Sequence, residues 1–233
     1  MSVDIQGKPI GRRVVLGMLG LGSVGVLVGA ELQDAIAGVF ANDPTGISGL
    51  LPTGGRFRIY SVVGYLPNRK TTEYKLEIAG LVDKPVTLTY ADLVALPPTR
   101  LTKDFQCVTG WRVQDVKWVG VRLADLLDAA GVQAAGTAVS FTSFDGSYSE
   151  SLTMDQARRP DVIVAYSMEG KPIPAKHGGP ARLYVAPMYG YKSIKWLDRI
   201  EVTERVQPGY WEVRGYDTDA WIGRSNGRDD QPV

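Results

Sequence analysis

"KHGGPARLYVAPMYGYKSIKW", Lys176 to Trp196, joins a paired-glycine turn, a short apolar run and a basic loop. His177 precedes Gly178, Gly179 and Pro180, and paired glycines let backbone approach a ligand closely. "ARLYVAP" (181–187) reads as a strand with Arg182 at its start, where a planar guanidinium suits phosphate or carboxylate. "GYKSIKW" (190–196) gathers Gly190, Lys192, Ser193 and Lys195 into one loop whose composition suits an anion. Neither a Walker A pattern nor GxGxxG is present, so nucleotide-fold phosphate binding is not supported. The bland alternatives are a solvated basic loop and a satisfied, partly buried imidazole.

Working outward, "SIKWLDRIEVTE" (193–204) reads as a further strand. Upstream, "YKLEIAG" (74–80) alternates, with Leu76 and Ile78 on one face. "VTLTY" (86–90) is a second strand, and Thr89 caps a short helix stopped by Pro97 and Pro98. "VRLADLLDAAG" (121–131) puts Leu123, Leu126 and Leu127 on one helical face and ends at Gly131. "AVSFTSF" (138–144) and "DVIVAYSM" (161–168) are strands, with a helix opened by Thr153 between them. Short helices interspersed with many strands argue against a doubly wound parallel sheet and for α+β.

The chain's single cysteine, Cys107, ends the strand-like run "RLTKDFQC" (100–107) and is followed by "VTGW". A lone thiol can be a small buried hydrophobe, a nucleophile or a metal ligand. A Cys–His pair with His177 is formally available, but no helix start follows Cys107 to activate the thiol. One histidine excludes a multi-His zinc or iron site within these 233 residues. A metal would therefore use Cys107, His177 or carboxylates, or arrive inside a cofactor. Lys and Arg number 26 against 25 Asp and Glu, so no global field draws the chain to nucleic acid.

Near the N-terminus, Arg12 and Arg13 precede an uncharged, glycine-rich stretch from Val14 to Ala30. A paired-Arg start before a weakly apolar run reads as a twin-arginine-type export signal over 1–37, and Ala35-Ile36-Ala37 offers a cleavage site. The alternative is an uncleaved anchor that contacts the membrane. Either places the folded body in the periplasm or on the outer face of the cytoplasmic membrane. Residues 38–55 read as a linker and 56–233 as one domain.

With "DFQCVTGWRV" (104–113), "GVRLADLLDAAGV" (120–132), "FTSFDGSYSESL" (141–152) and "GYWEVRGYDTDAW" (209–221), the opening stretch resembles the sulfite oxidase family. Within it, the likeness is to the molybdopterin-binding catalytic domain of exported bacterial oxidoreductases, including those that reduce methionine sulfoxide. It runs in order from Phe57 to Gly227. The resemblance implies the family's mixed β-sheet fold and a molybdenum–molybdopterin cofactor. It assigns Cys107 as the protein ligand to molybdenum, with soft sulfur suited to that site. Gly64, Tyr65, Thr142, His177, Arg182, Ser193, Ile194 and Lys195 become cofactor contacts. Gly64 and Tyr65 stand where relatives carry an Asn-His type pair, and Val63 stands where sulfite-oxidising relatives carry an arginine. Arg112 and Tyr216 match residues of the substrate pocket. The implied reaction is oxygen-atom transfer: reduction of an S-oxide or N-oxide, with sulfite oxidation as the alternative and a cofactor-free binding protein as the third reading. No haem or flavin signature is present, so a separate electron-transfer partner, a membrane cytochrome or a periplasmic carrier, is expected. The family's C-terminal dimerisation domain has no counterpart here, which implies a monomer.

Overall fold

The computed structural model describes residues 57–225; the readings of 1–37 as signal or anchor and 38–55 as linker fall outside them. Alternation builds the first strands. In β1 (Lys75–Gly80) Leu76 and Ile78 point inward, and β2 (Val86–Thr89) pairs antiparallel with it. Helix α1 (Tyr90–Ala95) starts where Thr89 Oγ1 accepts the Asp92 N–H at 3.2 Å and Asp92 returns a bond to the Thr89 N–H at 2.9 Å. This reciprocal cap satisfies two N–H groups that a helix start leaves open. The same device opens α3 (Met154–Ala157) through Thr153 and Gln156.

Between them, α2 (Leu123–Ala130) buries Leu123, Leu126 and Leu127 and ends at Gly131. Each buried leucine contributes about 1.5–3 kcal/mol of transfer free energy.

The remaining strands are β3 (Thr99–Gln106), β4 (Arg112–Arg122), β5 (Ala138–Ser143), β6 (Ser149–Thr153), β7 (Val162–Met168), β8 (Lys171–Pro172), β9 (Arg182–Val185) and β10 (Leu197–Thr203). With β1 and β2 they form two five-stranded sheets among the described residues. One runs β2-β1-β10-β5-β6; the other runs β3-β4-β7-β8, with β9 also paired to β7. The β1–β10 pair is parallel, Ile78 opposite Ile200, and it joins segments about 120 residues apart. Mixed sheets with a few short helices are the expected α+β class.

Local pattern does not announce β4, β6 or β8. Strand β4 carries Arg112, Gln114, Asp115 and Lys117, and Asp115 adopts a left-handed φ of 52°. Strand β6 reads Ser-Glu-Ser-Leu-Thr but buries Glu150, Ser151 and Leu152. The run 193–204 becomes a strand only from Leu197, because Trp196 turns the chain at φ 57°.

The site follows from this topology. The segment between β9 and β10 leaves one sheet and enters the other. The turn after β3 belongs to the second sheet, so Cys107 meets that crossover.

Candidate functional site

Cys107 sits at the tip of the β3–β4 turn. Its N–H donates to the Trp111 carbonyl at 2.9 Å, and its own carbonyl accepts the Gly110 N–H at 3.0 Å. These bonds close the turn and present the partly exposed sulfur outward. The Thr109 hydroxyl donates to Sγ at 3.2 Å.

Sγ faces a cavity of about 400 Å³. One wall comes from the β3–β4 turn and the N-terminal segment: Phe57, Arg58, Tyr60, Val62 and Trp111. A second wall is Tyr148, Tyr191, Tyr210, Trp211 and Tyr216. Tyr216 packs edge-on against Tyr191, with ring centres 5.4 Å apart. The floor is the stretch around β9: His177, Arg182, Ser193, Ile194 and Lys195.

Arg182 organises the floor. It is almost wholly buried, and its Nη1 and Nη2 donate to the carbonyls of His177 at 2.8 Å and Ser193 at 2.7 Å. Its guanidinium lies 5.2 Å from the Phe105 ring centre and 5.7 Å from that of Trp118. Burial lowers its pKa to about 10, which leaves it charged at neutral pH. The two loops that line the cavity floor are thus tied to one cation. Ser193 adds a further tie, its hydroxyl accepting the Val185 N–H at 3.0 Å.

His177 lies beside Phe57, ring centres 5.0 Å apart. Burial and the charges of Arg182, Lys176 and Lys195 push its pKa down to about 4, so the imidazole is neutral at physiological pH. Lys195 donates from Nζ to the Tyr60 carbonyl, and its ammonium lies 4.8 Å from the Trp196 ring centre. Burial, then Arg182, lower its pKa to about 8. Gly178 makes this approach possible. With φ at 98°, a Cβ there would lie 2.6 Å from Lys195 Cγ.

Seven of the residues singled out in the sequence therefore share one cavity: Cys107, His177, Arg182, Ser193, Ile194, Lys195 and Tyr216. Four do not line it. Arg112 turns back along β4 and pairs through Nε with Asp104, which also accepts the Asp115 N–H at 2.9 Å. Thr142 lies within β5, opposite Arg199 on β10 and Ser149 on β6. Gly64 and Tyr65 occupy an exposed turn where Ser61 Oγ donates to the Tyr65 carbonyl at 2.6 Å.

Sequence reasoning missed the aromatic walls, Arg58, Lys176 and Thr109. Thr109, two residues past Cys107, was within reach of a turn argument. Tyr60 and Arg58 carry no local signal, because they reach the site from about 135 residues away.

Among the described residues the lining includes Arg58, Lys176, Arg182 and Lys195 and no carboxylate. It favours an anion between flat aromatic surfaces. The Trp111 indole N–H is buried beside the cavity and has no hydrogen-bond partner among the described residues. Among the described residues no three His, Cys, Asp or Glu side chains gather as a metal site. A metal at Cys107 would thus bring most of its ligands with it.

Residues 63–211 match the family described as "oxidoreductase molybdopterin binding domain". The chain is 36% identical over 145 residues to the uncharacterized oxidoreductase YuiH of Bacillus subtilis, covering 62% of this chain and 73% of that one. It is 32% identical over 166 residues to the protein-methionine-sulfoxide reductase catalytic subunit MsrP of Campylobacter jejuni, covering 64% and 56% respectively. In structure it resembles the sulfane dehydrogenase SoxCD of Paracoccus pantotrophus, with a TM-score of 0.56 and 28% identity over 60% of this chain and 41% of that one. It thus spans little more than half of MsrP and less than half of the SoxCD chain. A cavity lined by cations and one soft sulfur fits a phosphorylated dithiolene cofactor that already holds its metal. The chain belongs to the family of molybdopterin-binding oxidoreductase domains, and its cofactor is molybdenum–molybdopterin.

Proposed function

We propose that the chain is an exported oxidoreductase that reduces an S-oxide or N-oxide, such as methionine sulfoxide, with electrons from a separate redox partner. The observation that carries this reading is the Cys107 sulfur at a cavity with aromatic walls and a cationic floor. The likeness to MsrP supports the sulfoxide class. Reduction of a sulfoxide to a thioether consumes two electrons and two protons and releases water. A membrane cytochrome or a small periplasmic carrier is the class of partner that supplies the electrons.

Among this chain's residues, Cys107 would ligate the molybdenum, and the Thr109 hydroxyl would temper the thiolate by its hydrogen bond. Arg182, Lys195 and Lys176 would hold the anionic end of the cofactor, with Ser193 and Ile194 shaping the loop around it. Neutral His177 offers one acceptor and one donor without adding charge. When bound, the cofactor supplies two-electron chemistry coupled to oxygen-atom exchange with substrate. Tyr216 offers a phenolic donor at the cavity, suited to polarising an S=O or N–O group. The aromatic walls exclude water and favour contact with a thioether product. Arg112, held by Asp104, adds no cation to the cavity, which disfavours a small dianion such as sulfite.

The test is molybdenum content of the protein from a cofactor-producing host, combined with steady-state assays on methionine sulfoxide, trimethylamine N-oxide and sulfite. Molybdenum with sulfoxide or N-oxide turnover is expected. Turnover of sulfite alone would favour the alternative. A folded protein without molybdenum from such a host would overturn the enzyme reading in favour of a binding protein. Fractionation of that host checks export.

A further inference from the structure

Behind the C-terminal wall of the cavity lies a charged cluster that the cofactor reading does not use. Lys192, from the turn at 190–192, is fully buried. Its Nζ lies 3.0 Å from Glu150 Oε2 on β6 and donates to Glu212 Oε1 in the turn Glu212–Arg214. Glu212 Oε2 in turn accepts the Gly209 N–H at 2.7 Å. Gly209 packs so tightly that a Cβ there would sit 2.1 Å from Glu150 Oε1, an oxygen with no hydrogen-bond partner among the described residues. Lys192, Glu150 and Glu212 do not themselves line the cavity. Each is the sequence neighbour, or nearly so, of a residue that does: Tyr191, Tyr148 and Trp211.

One cation faces two carboxyls in a site without water access. If both ionise, a net negative charge is buried, at a cost of several kcal/mol. The phenol of Tyr148 also faces Glu150, and burial raises it well above its ordinary range. It carries no positive charge, so among the described residues Lys192 is the cation that acts on Glu150.

We infer that Lys192, Glu150 and Glu212 are positioning residues that seat the aromatic wall Tyr210–Tyr216 at the cavity, and that this seat is tighter while Glu150 carries a proton. Burial, and then the neighbouring Glu212, push the Glu150 pKa up to about 8 against the opposing pull of Lys192. The seated form therefore binds a proton that a solvated Glu150 releases near its ordinary 4.5. Between those values the seated form holds more protons than the released form, so rising pH favours release. Above about 8 both forms are ionised and the dependence ends.

The amides of Tyr210, Val213, Arg214 and Gly215 report on the seat, because their bonds to Ser149, Gly209, Trp211 and Glu212 carbonyls hold the wall closed. Hydrogen-exchange mass spectrometry of the full chain, as protection factors, measures their opening without cofactor or substrate, so its outcome is independent of the proposed reaction. Protection of these amides is expected to fall by up to about tenfold per pH unit between about pH 5 and 8, then level off. Glu150→Gln, which imitates the protonated carboxyl, is expected to abolish the slope. Protection that is flat with pH in the wild type, or an equal slope in Glu150→Gln, would overturn the inference. If Glu150→Gln does not fold, the wild-type series decides: a slope shared by the β1 amides would mark global opening and also overturn it.

Discussion

Replacing Gly178 by alanine tests whether the close approach at the cavity floor seats Lys195. Two terms set the cost. The residue holds φ at 98°, and left-handed backbone costs a side-chain-bearing residue about 1–2 kcal/mol. The new Cβ would lie 2.6 Å from Lys195 Cγ and 2.9 Å from its Cα. To reach ordinary carbon–carbon contact near about 3.5 Å, Lys195 must retreat by roughly 1 Å, backbone included. Overpacking of this kind costs about 1–3 kcal/mol. The sum is about 2–5 kcal/mol, or roughly 5–15 °C in Tm for a domain of this size. Gly146 supplies the control. Its φ is 69°, and a Cβ there meets nothing within 4 Å, so Gly146→Ala carries the backbone cost alone. Urea unfolding of both variants is expected to show Gly178→Ala weaker by about 1–3 kcal/mol. Displacing Lys195 also breaks its bond to the Tyr60 carbonyl, so molybdenum retained through gel filtration is expected to fall in Gly178→Ala and not in Gly146→Ala. Equal losses of stability in the two variants would refute the steric argument.

Cys107→Ser is expected to abolish turnover and alter the Mo(V) paramagnetic signal, with stability within about 0.5 kcal/mol of wild type; unchanged activity would refute the ligand assignment. His177, with its pKa down at about 4, binds fewer protons folded than unfolded between that value and its ordinary 6.5. Stability is therefore expected to fall as pH drops through this window, by about 1 kcal/mol after allowance for its half-exposed ring, and His177→Gln is expected to flatten the pH–Tm curve there. Arg112→Gln is expected to cost about 1 kcal/mol of stability through loss of the Asp104 pair. Its KM for sulfoxide should stay within about twofold of wild type in steady-state assays, whereas a large rise would place Arg112 on the substrate.

Much of the local architecture was legible because its causes are local. The Thr89 and Thr153 caps, the buried leucines of α2 and the alternation of β1 each follow from residues within one turn or one strand. Strands β4 and β6 were not, since their polar residues are buried or bulged for reasons supplied by distant partners: Glu150 by Lys192, Asp115 by Asp104. The site divides in the same way. A family likeness carried by contiguous motifs marked Cys107, His177, Arg182, Ser193, Ile194, Lys195 and Tyr216, and all seven line the cavity. Arg112 is adjacent to the cysteine turn in sequence, yet strand pairing hands its guanidinium to Asp104.

By itself, then, the sequence determined the α+β class, the helix starts at Thr89 and Thr153, and the association of one thiol with a glycine-rich, basic stretch. Motif order and capping chemistry survive without knowledge of the rest of the chain. Only the tertiary structure decided which cations face the cavity, which aromatic rings wall it, and that Lys192 is spent on two carboxyls behind it. Those outcomes depend on the parallel pairing of β1 with β10 and on the crossover from β9 to β10. Such long-range closures bring together Tyr60 and Lys195, or Glu150 and Glu212, and no local pattern in either partner specifies the other.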